Sequence, residues 1–186
     1  FFGDITFEQG VNSKVDAINA VLDAIGSAGI GSIDDIEWDA DAASANQVIE
    51  WYTQAIQSNR GKGYWFNRET FHKLAPDPIN GYVTIPANVI AALVHRNRGQ
   101  VIPVAFRDGK LFDASGNGYD MRDAVCQDGL VHCTLVVNLA FEALPVNARQ
   151  AITDTAILVF VANKEGDKIK MELAQQLMNK AVSDLE

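Results

Sequence analysis

Three histidines and two cysteines are the side chains of this sequence best suited to metal or nucleophilic chemistry. Cys126 and Cys133 are separated by more than a CxxC spacing, and His132 precedes the second of them. A zinc site built on these three would need further ligands, and the only other histidines are His72 and His95. If residues 131–139 form a strand, alternation places His132 and Cys133 on opposite faces. The pattern therefore indicates two inert thiols in or beside a strand, in a reduced compartment.

No local pattern pairs a nucleophile with a base. The histidines fall in three separate predicted strands, and none belongs to an HExxH or GxSxG motif. We therefore expect no catalytic residue, no cofactor site, no metal site and no enzymatic activity. Two carboxylates could still hydrolyse a glycoside, and their separation is not readable from sequence, so a carbohydrate-active hydrolase or binding module remains the alternative.

Carboxylates are concentrated before the second predicted helix. They are Asp34, Asp35, Glu37, Asp39 and Asp41. The composition is that of a calcium loop, but the spaced acidic pattern with a distant glutamate is missing. The cluster is typical of a solvated loop and a helix cap, with Asp39 or Asp41 accepting hydrogen bonds from free backbone N–H groups. Weak cation binding is the other interpretation.

The second helix and the aromatic segment after it connect the two halves of the predicted fold. Apolar residues recur at steps of three and four over residues 39–59, at Ala42, Ala45, Val48 or Ile49, Tyr52 and Ile56. Gly61 and Gly63 then end the helix. We predict a strand at residues 64–67, with Trp65 and Phe66 buried as the core between the lobes. An exposed aromatic binding patch is the alternative.

Three further helices are predicted, one before and two after the central region. Ser13 and Asp16 form a capping-box pattern ahead of a helix that ends at Gly26. Pro145 suits the first turn of a helix that reaches about residue 163, with Gly166 as the break. The last helix, from residue 167, carries an apolar stripe. Its members are Ile169, Leu173, Leu177, Ala181 and Leu185. Packing in the core and binding of a partner are both open for this stripe.

The middle of the chain contains short apolar runs separated by turn signals. Candidate strands lie at residues 64–67, 71–74, 81–85, 89–95, 101–107, 110–113, 118–121 and 131–139; residues 89–95 would also suit a helix. Asp108-Gly109 occupies a hairpin position. The sequence therefore predicts an α+β fold, with a helical lobe from residues 1–62 and 140–186 and an inserted antiparallel sheet or sandwich lobe at 63–139. Residues 1–10 show no clear period and are interpreted as an arm.

The bulk composition limits the function classes. The 186 residues are 48% hydrophobic and 21% charged, which is typical of a globular protein, and the net charge is -9. A protein that grips nucleic-acid phosphates needs a basic surface, so such a role is disfavoured. An acidic wall could instead surround DNA and let it slide. The sequence contains no run of 18 or more apolar residues, so no membrane span is predicted. The first residues lack the basic region of a signal peptide.

Four motifs in order extend this interpretation. They are GKGYWFN at 61–67, LAPD at 74–77 with GYVTIP at 81–86, RDGKLFD at 107–113, and FEALP at 141–145 with ARQAI at 148–152. In order and spacing, the chain from about Val11 to Asn163 resembles the tail tubular protein A family, the head-to-tail adaptors of short-tailed phages.

The resemblance implies a structural virion protein that assembles in the host cytoplasm and is located at the head-to-tail junction. It implies a dodecameric ring of copies of the chain, docked under the portal protein and seating the tail nozzle on its far side. Phage DNA would pass through the ring during packaging and ejection without sequence-specific binding.

We predict portal contacts on the terminal amphipathic helix, which could insert into a groove of the portal. These contacts are Ile169, Leu173, Leu177 and Leu185. Nozzle contacts are expected in the β-lobe turns, at Asp77, Pro78, Asn97 and Arg98, as the resemblance implies.

Overall fold

The computed structural model describes residues 11–96, 99–116, 118–166 and 168–185. The arm predicted at residues 1–10 lies outside these ranges. Helices occupy both ends of the described chain and an antiparallel sheet occupies the middle, which confirms the α+β class. Two compact units result: a helical unit, formed by residues up to Ile56 and from Ala140 onward, and a β unit, Gln57–Leu139. No helix in the described ranges is long and apolar enough to cross a bilayer.

Helix α1 (Lys14–Ala24) begins with the predicted capping box. The Ser13 hydroxyl accepts the Asp16 N–H at 3.1 Å, and the Asp16 carboxylate accepts the Ser13 N–H at 2.9 Å. The backbone N–H of Ser13, followed by the Ser13 side chain, holds the pKa of the Asp16 carboxyl below its usual range. The cap fixes the start of the helix, whose inner face is fully buried. That face comprises Ala17, Ile18, Val21 and Leu22.

Helix α2 (Ala40–Ser58) is capped by Asp39, as the acidic cluster predicted. The Asp39 Oδ1 atom accepts the N–H groups of Asp41 at 2.9 Å and Ala42 at 3.0 Å. The predicted apolar positions Ala42, Ala45, Ile49 and Ile56 are buried. Before it, residues Ile33–Trp38 form a short 3₁₀ helix with its own capping box and no buried residue.

Helices α3 (Val146–Glu165) and α4 (Lys168–Leu185) are separated at Gly166, whose φ of 67° is the left-handed conformation that ends the first helix. Helix α3 packs against α1 and α4. Apolar residues at helical spacing form its buried face: Ile152, Ala156, Val159 and Phe160. Helix α4 buries Ala174 and Met178, each one position after a residue of the predicted stripe, together with Leu185 of the stripe itself.

The main sheet of the β unit has four antiparallel strands in the order β1-β6-β2-β3. They are β1 (Arg68–Leu74), β2 (Val89–His95), β3 (Val101–Ile102) and β6 (Val131–Val137). Residues 89–95, for which the sequence left helix and strand both open, form the strand β2. A two-stranded hairpin, β4 (Val104–Arg107) with β5 (Lys110–Asp113), turns at Asp108-Gly109, where φ is 53° and 70°. Pro103 divides the strand predicted at 101–107, because it has no N–H to donate.

One face of the sheet forms the core of the β unit. The odd-numbered residues of β6 point into it, together with side chains from β2, β5 and the connecting loops. Its most buried members are Val83, Val94, Leu111, Met121, Val131, Cys133 and Leu135. Strands predicted at 81–85 and 118–121 are absent: Thr84 and Gly118 make isolated bridges only, to Lys110 and Asp113. Both segments still contribute buried side chains, so alternation in the sequence marked burial and not a strand.

The prediction for residues 64–67 was wrong in two respects. The segment is a turn and not a strand, and Trp65 is 72% exposed, whereas Tyr64 is 2% exposed. Phe66 is half-buried and stacks on the Tyr64 ring at 5.3 Å. The chain turns here because the Asn67 side chain accepts the Tyr64 N–H and donates to the carbonyls of Gln57 and Val137. Tyr64 therefore enters the core and Trp65 faces solvent.

Gly63 allows this turn to lie directly against the sheet. Its φ is 62°, and a β carbon at this position would lie 2.7 Å from Cγ1 of Val136. No side chain fits at that separation without displacing β6. The GKGYWFN motif therefore encodes a close approach of backbone to sheet, and this approach covers the Val136 end of the second sheet face.

Candidate functional site

The two thiols lie in different environments, Cys133 buried and Cys126 half-buried. Cys133 is buried in the core, and burial raises the pKa of its thiol to about 11. Its Sγ donates to the His72 carbonyl at 3.7 Å, and Cys126 Sγ donates to the His95 carbonyl at 3.5 Å. His132 lies on the face of β6 opposite Cys133, as alternation predicted. The described residues contain no group of three or more His, Cys, Asp or Glu side chains placed to hold a metal ion.

His132 belongs to an ion cluster at the start of β6. The Asp128 carboxylate accepts from His132 Nε2 at 2.8 Å and from Lys73 Nζ at 3.0 Å. The hydrogen bond from His132, followed by that from Lys73, holds the pKa of Asp128 well below its usual range. A carboxylate held ionised by two donors is a poor general acid. Because Lys73 lies in β1 and Asp128 in the loop before β6, their ion pair tethers this loop to the edge strand.

A row of cationic and imidazole side chains crosses the second face of the sheet. Lys73 pairs with His132, and His132 pairs with His95, in the register of β1, β6 and β2. Side chains paired in register share a face. His95 also makes a 3.2 Å contact from Nε2 to the hydroxyl of Thr134, which lies two residues further along β6.

A bulge in β1 lies beside this row. The register shifts between Glu69 and His72, and Phe71, within the bulge, has a φ of 66°. A left-handed phenylalanine is strained, and such strain persists where a surface uses the side chain. Phe71 is 88% exposed, so the bulge displays an aromatic ring at the sheet edge.

The row and the bulge enclose a groove of about 660 Å³, the size of a small binding pocket. Its lining includes Phe71, His95, Arg96, Cys126, Asp128 and His132. Sequence reasoning missed this groove, because it depends on the bulge and on pairing between strands far apart in the chain. The even positions of β6, which alternate with its core residues, were the one available signal.

The residues predicted to contact the portal are divided by the structure. Ile169 is 77% exposed and Leu173 is 50% exposed, four residues apart on α4. Leu177 is half-buried and Leu185 is buried, and both line a cleft of about 260 Å³ between α3 and α4. Only the first half of the stripe is therefore displayed to solvent.

The residues predicted to contact the nozzle lie in two turns. Asp77 and Pro78 are exposed, and Asp77 Oδ1 accepts the N–H groups of Ile79 at 2.8 Å and Asn80 at 3.1 Å. This bonding presents Ile79 at 89% exposure. Asn97 and Arg98 lie outside the described residues.

All three tryptophans of the chain are exposed. The exposed fraction is 88% for Trp38, 63% for Trp51 and 72% for Trp65. Tryptophan is enriched among the side chains that dominate binding energy at protein interfaces. Phe71 and Ile169 are exposed as well, at 88% and 77%.

Comparison with known proteins agrees with this picture. A family model for tail tubular proteins matches residues 15–186, from the first turn of α1 to the last residue. No curated protein matches the chain significantly.

Proposed function

The chain belongs to the tail tubular protein family, which has a structural role in phage tails, and we propose that it is the head-to-tail adaptor of a short-tailed phage. Copies of the chain form a ring, dodecameric by resemblance to tail tubular protein A. The ring docks on the portal, seats the tail nozzle on its far side, and surrounds the DNA channel used in packaging, retention and ejection.

The observation that carries the proposal is the exposed start of the stripe on α4. Ile169 and Leu173 lie on one side of the helix, next to the face that packs on α3, and both are at least half exposed. Met171 is also 42% exposed. An amphipathic helix with apolar residues left in water is suited to a groove on a partner, read at positions i and i+4. We assign the portal as the occupant of this surface, with Leu177 at its margin and Leu185 as a packing residue.

The β unit supplies the surface for the nozzle. The Asp77 side chain closes the Asp77-Pro78 turn by accepting the N–H groups of Ile79 and Asn80, and Ile79 is displayed beside it. A rigid turn with one exposed apolar residue can insert into a pocket of the nozzle at low entropic cost. Asn97 and Arg98, in the β2–β3 connection, complete the proposed nozzle contacts.

The charge balance supports passage of DNA. The chain has 24 acidic and 15 basic residues, for a net charge of -9. A ring of such chains repels the DNA phosphates, which keeps the duplex from adhering to the wall. Adhesion would slow ejection, so a channel wall of like charge suits the role.

Imaging of the chain with purified portal tests the proposal. Negative-stain images should show a second ring on one end of the portal, and added nozzle protein should bind only to decorated particles. Undecorated portals at every salt concentration would contradict the adaptor role. The free chain need not form the ring, so the mass of the free chain in solution is not the deciding quantity.

A further inference from the structure

We infer that the groove on the second face of the β-unit sheet receives the exposed 3₁₀ segment Ile33–Trp38 of a neighbouring copy of this chain. This contact rests on the proposed ring and assigns the surfaces that close it. Three features carry the inference: the chemistry of the groove, the chemistry of the segment and the difference between the two surfaces.

The groove combines a guanidinium with an aromatic wall. Arg96 lines it beside His95 and His132, and Phe71 forms one wall. Its one carboxylate among the lining residues, Asp128, is already bound by Lys73 and His132. The Arg96 guanidinium is therefore the donor that the groove offers to an acidic occupant.

Apolar surface continues from the groove along the same sheet face. Leu93, which pairs in register with Thr134, is 37% exposed, and Val101, which pairs with His95, is 51% exposed. An occupant that combines acidic and apolar side chains matches this lining on both counts.

The Ile33–Trp38 segment has that chemistry. None of its residues is buried. Trp38 is 88% exposed and Ile33 is 43% exposed. Between them lie three exposed acidic residues, and Asp35 orders the start of the segment by accepting the N–H groups of Gly31 and Ser32. A preordered acidic segment that ends in an indole loses little entropy on binding.

Size and polarity are compatible. The groove of about 660 Å³ lies within the range of small-ligand pockets, about 300–1,000 Å³, so it can accept an indole ring with neighbouring side chains. Glu37 directly precedes Trp38 and Asp34 lies four residues before it, so with Trp38 in the groove both carboxylates are near its lining, where Arg96 is the donor they meet. Charge complementarity of this kind selects partner and orientation.

The two surfaces are different parts of the chain, so the contact is heterologous. A heterologous contact repeats from copy to copy and closes into a ring when the rotation permits. In such a ring, each subunit would bind one neighbour through its groove and the other neighbour through its Ile33–Trp38 segment.

Cross-linking tests the contact with the native Cys126 of the groove as one partner. In Glu37→Cys, which keeps Trp38, a short bismaleimide should join residue 37 of one copy to Cys126 of the next and give a ladder of multimers. Adding Cys126→Ser should abolish the ladder. Asp23→Cys, an exposed acidic position at the end of α1, is the matched control and should give no ladder.

Copies labelled with two isotopes distinguish cross-links between chains from those within one chain. The variants are first imaged on portal, which tests the ring itself. Rings with no 37–126 product between copies would overturn the contact while leaving the proposed function intact. If no ring forms, the concentrated free chain is cross-linked instead: a product between copies supports the contact, and its absence overturns it.

Charge exchange gives an independent readout. Arg96→Glu alone, and Asp34→Lys with Glu37→Lys, should each reduce ring occupancy on the portal at least fivefold. The three substitutions in one chain should restore most of it, since both surfaces are then reversed together. Equal loss in the triple variant, with unchanged thermal unfolding, would contradict the assignment.

Discussion

The Asn67 side chain closes a turn on Tyr64, with its Oδ1 atom 2.7 Å from the Tyr64 backbone nitrogen. Its amide group also donates to the carbonyls of Gln57 at 2.9 Å and Val137 at 3.1 Å. Asn67 is 1% exposed, so all three hydrogen bonds are shielded from water. One residue therefore holds the end of α2, the turn and the last strand of the sheet in place.

Asn67→Ala should lower the free energy of unfolding by roughly 2–4 kcal/mol, because it leaves buried backbone groups without partners. Urea denaturation of the full chain measures this. Asn88→Ala, at an exposed position, is the control and should change the stability by less than about 0.5 kcal/mol. Equal effects at the two positions would show that the Asn67 hydrogen bonds are not needed for the fold.

The neighbouring aromatics should respond oppositely to truncation. Tyr64→Ala removes a buried ring and should cost roughly 3–5 kcal/mol. Trp65→Ala removes a ring that is 72% exposed and should cost less than about 1 kcal/mol. Thermal or urea unfolding of both variants compares them directly. A large loss at Trp65 with a small one at Tyr64 would support the buried Trp65 that the sequence predicted.

These residues also show what sequence can and cannot provide. The Ser13–Asp16 capping box, the Asp39 cap, the Gly166 break and the Asp108-Gly109 hairpin were all predictable, because each depends on residues within a few positions of one another. The exposure of Trp65 was not, because it depends on Asn67 reaching a carbonyl 70 residues later.

The groove on the second sheet face was also out of reach of the sequence. It arises from a bulge at Phe71 that no local pattern marks, and from the pairing of His95 with His132. The buried face of α4 includes Ala174 and Met178, each one position after a predicted residue, because tertiary packing on α3 sets the rotation of the helix. The apolar periodicity predicted the helix α4, but not the rotation about its axis at which it packs on α3.

Asp120 provides a test of the electrostatics. The Arg122 side chain, which donates to both carboxylate oxygens, lowers the pKa of Asp120 to about 2. A carboxyl with a lowered pKa in the folded state stabilises the protein above its unfolded pKa of about 3.9. That contribution is lost as pH falls towards 2. An NMR titration should place the Asp120 midpoint near 2, and Arg122→Gln should return it towards about 3.9. A midpoint that Arg122→Gln leaves unchanged would exclude the guanidinium as the cause.

The two thiols should differ in reactivity. Burial raises the pKa of Cys133 to about 11, so little thiolate exists at pH 8. Cys126 is half-buried at the groove and should react first with a maleimide, while Cys133 reacts only on unfolding. Mass spectrometry of the singly modified protein identifies the site. Modification of Cys133 in the folded chain would contradict its burial on the core face of β6.

The central claim is that the exposed residues at the start of α4 dock this protein on a portal. The most direct measurement is portal decoration by the double variant Ile169→Asp with Leu173→Asp, compared with Gln175→Asp and Gln176→Asp on exposed positions of the same helix. Because both pairs are exposed, thermal unfolding should be unchanged in either variant. The account predicts that wild type and the glutamine variant decorate the portal and the apolar variant does not. Decoration by all three, or by none, would contradict it.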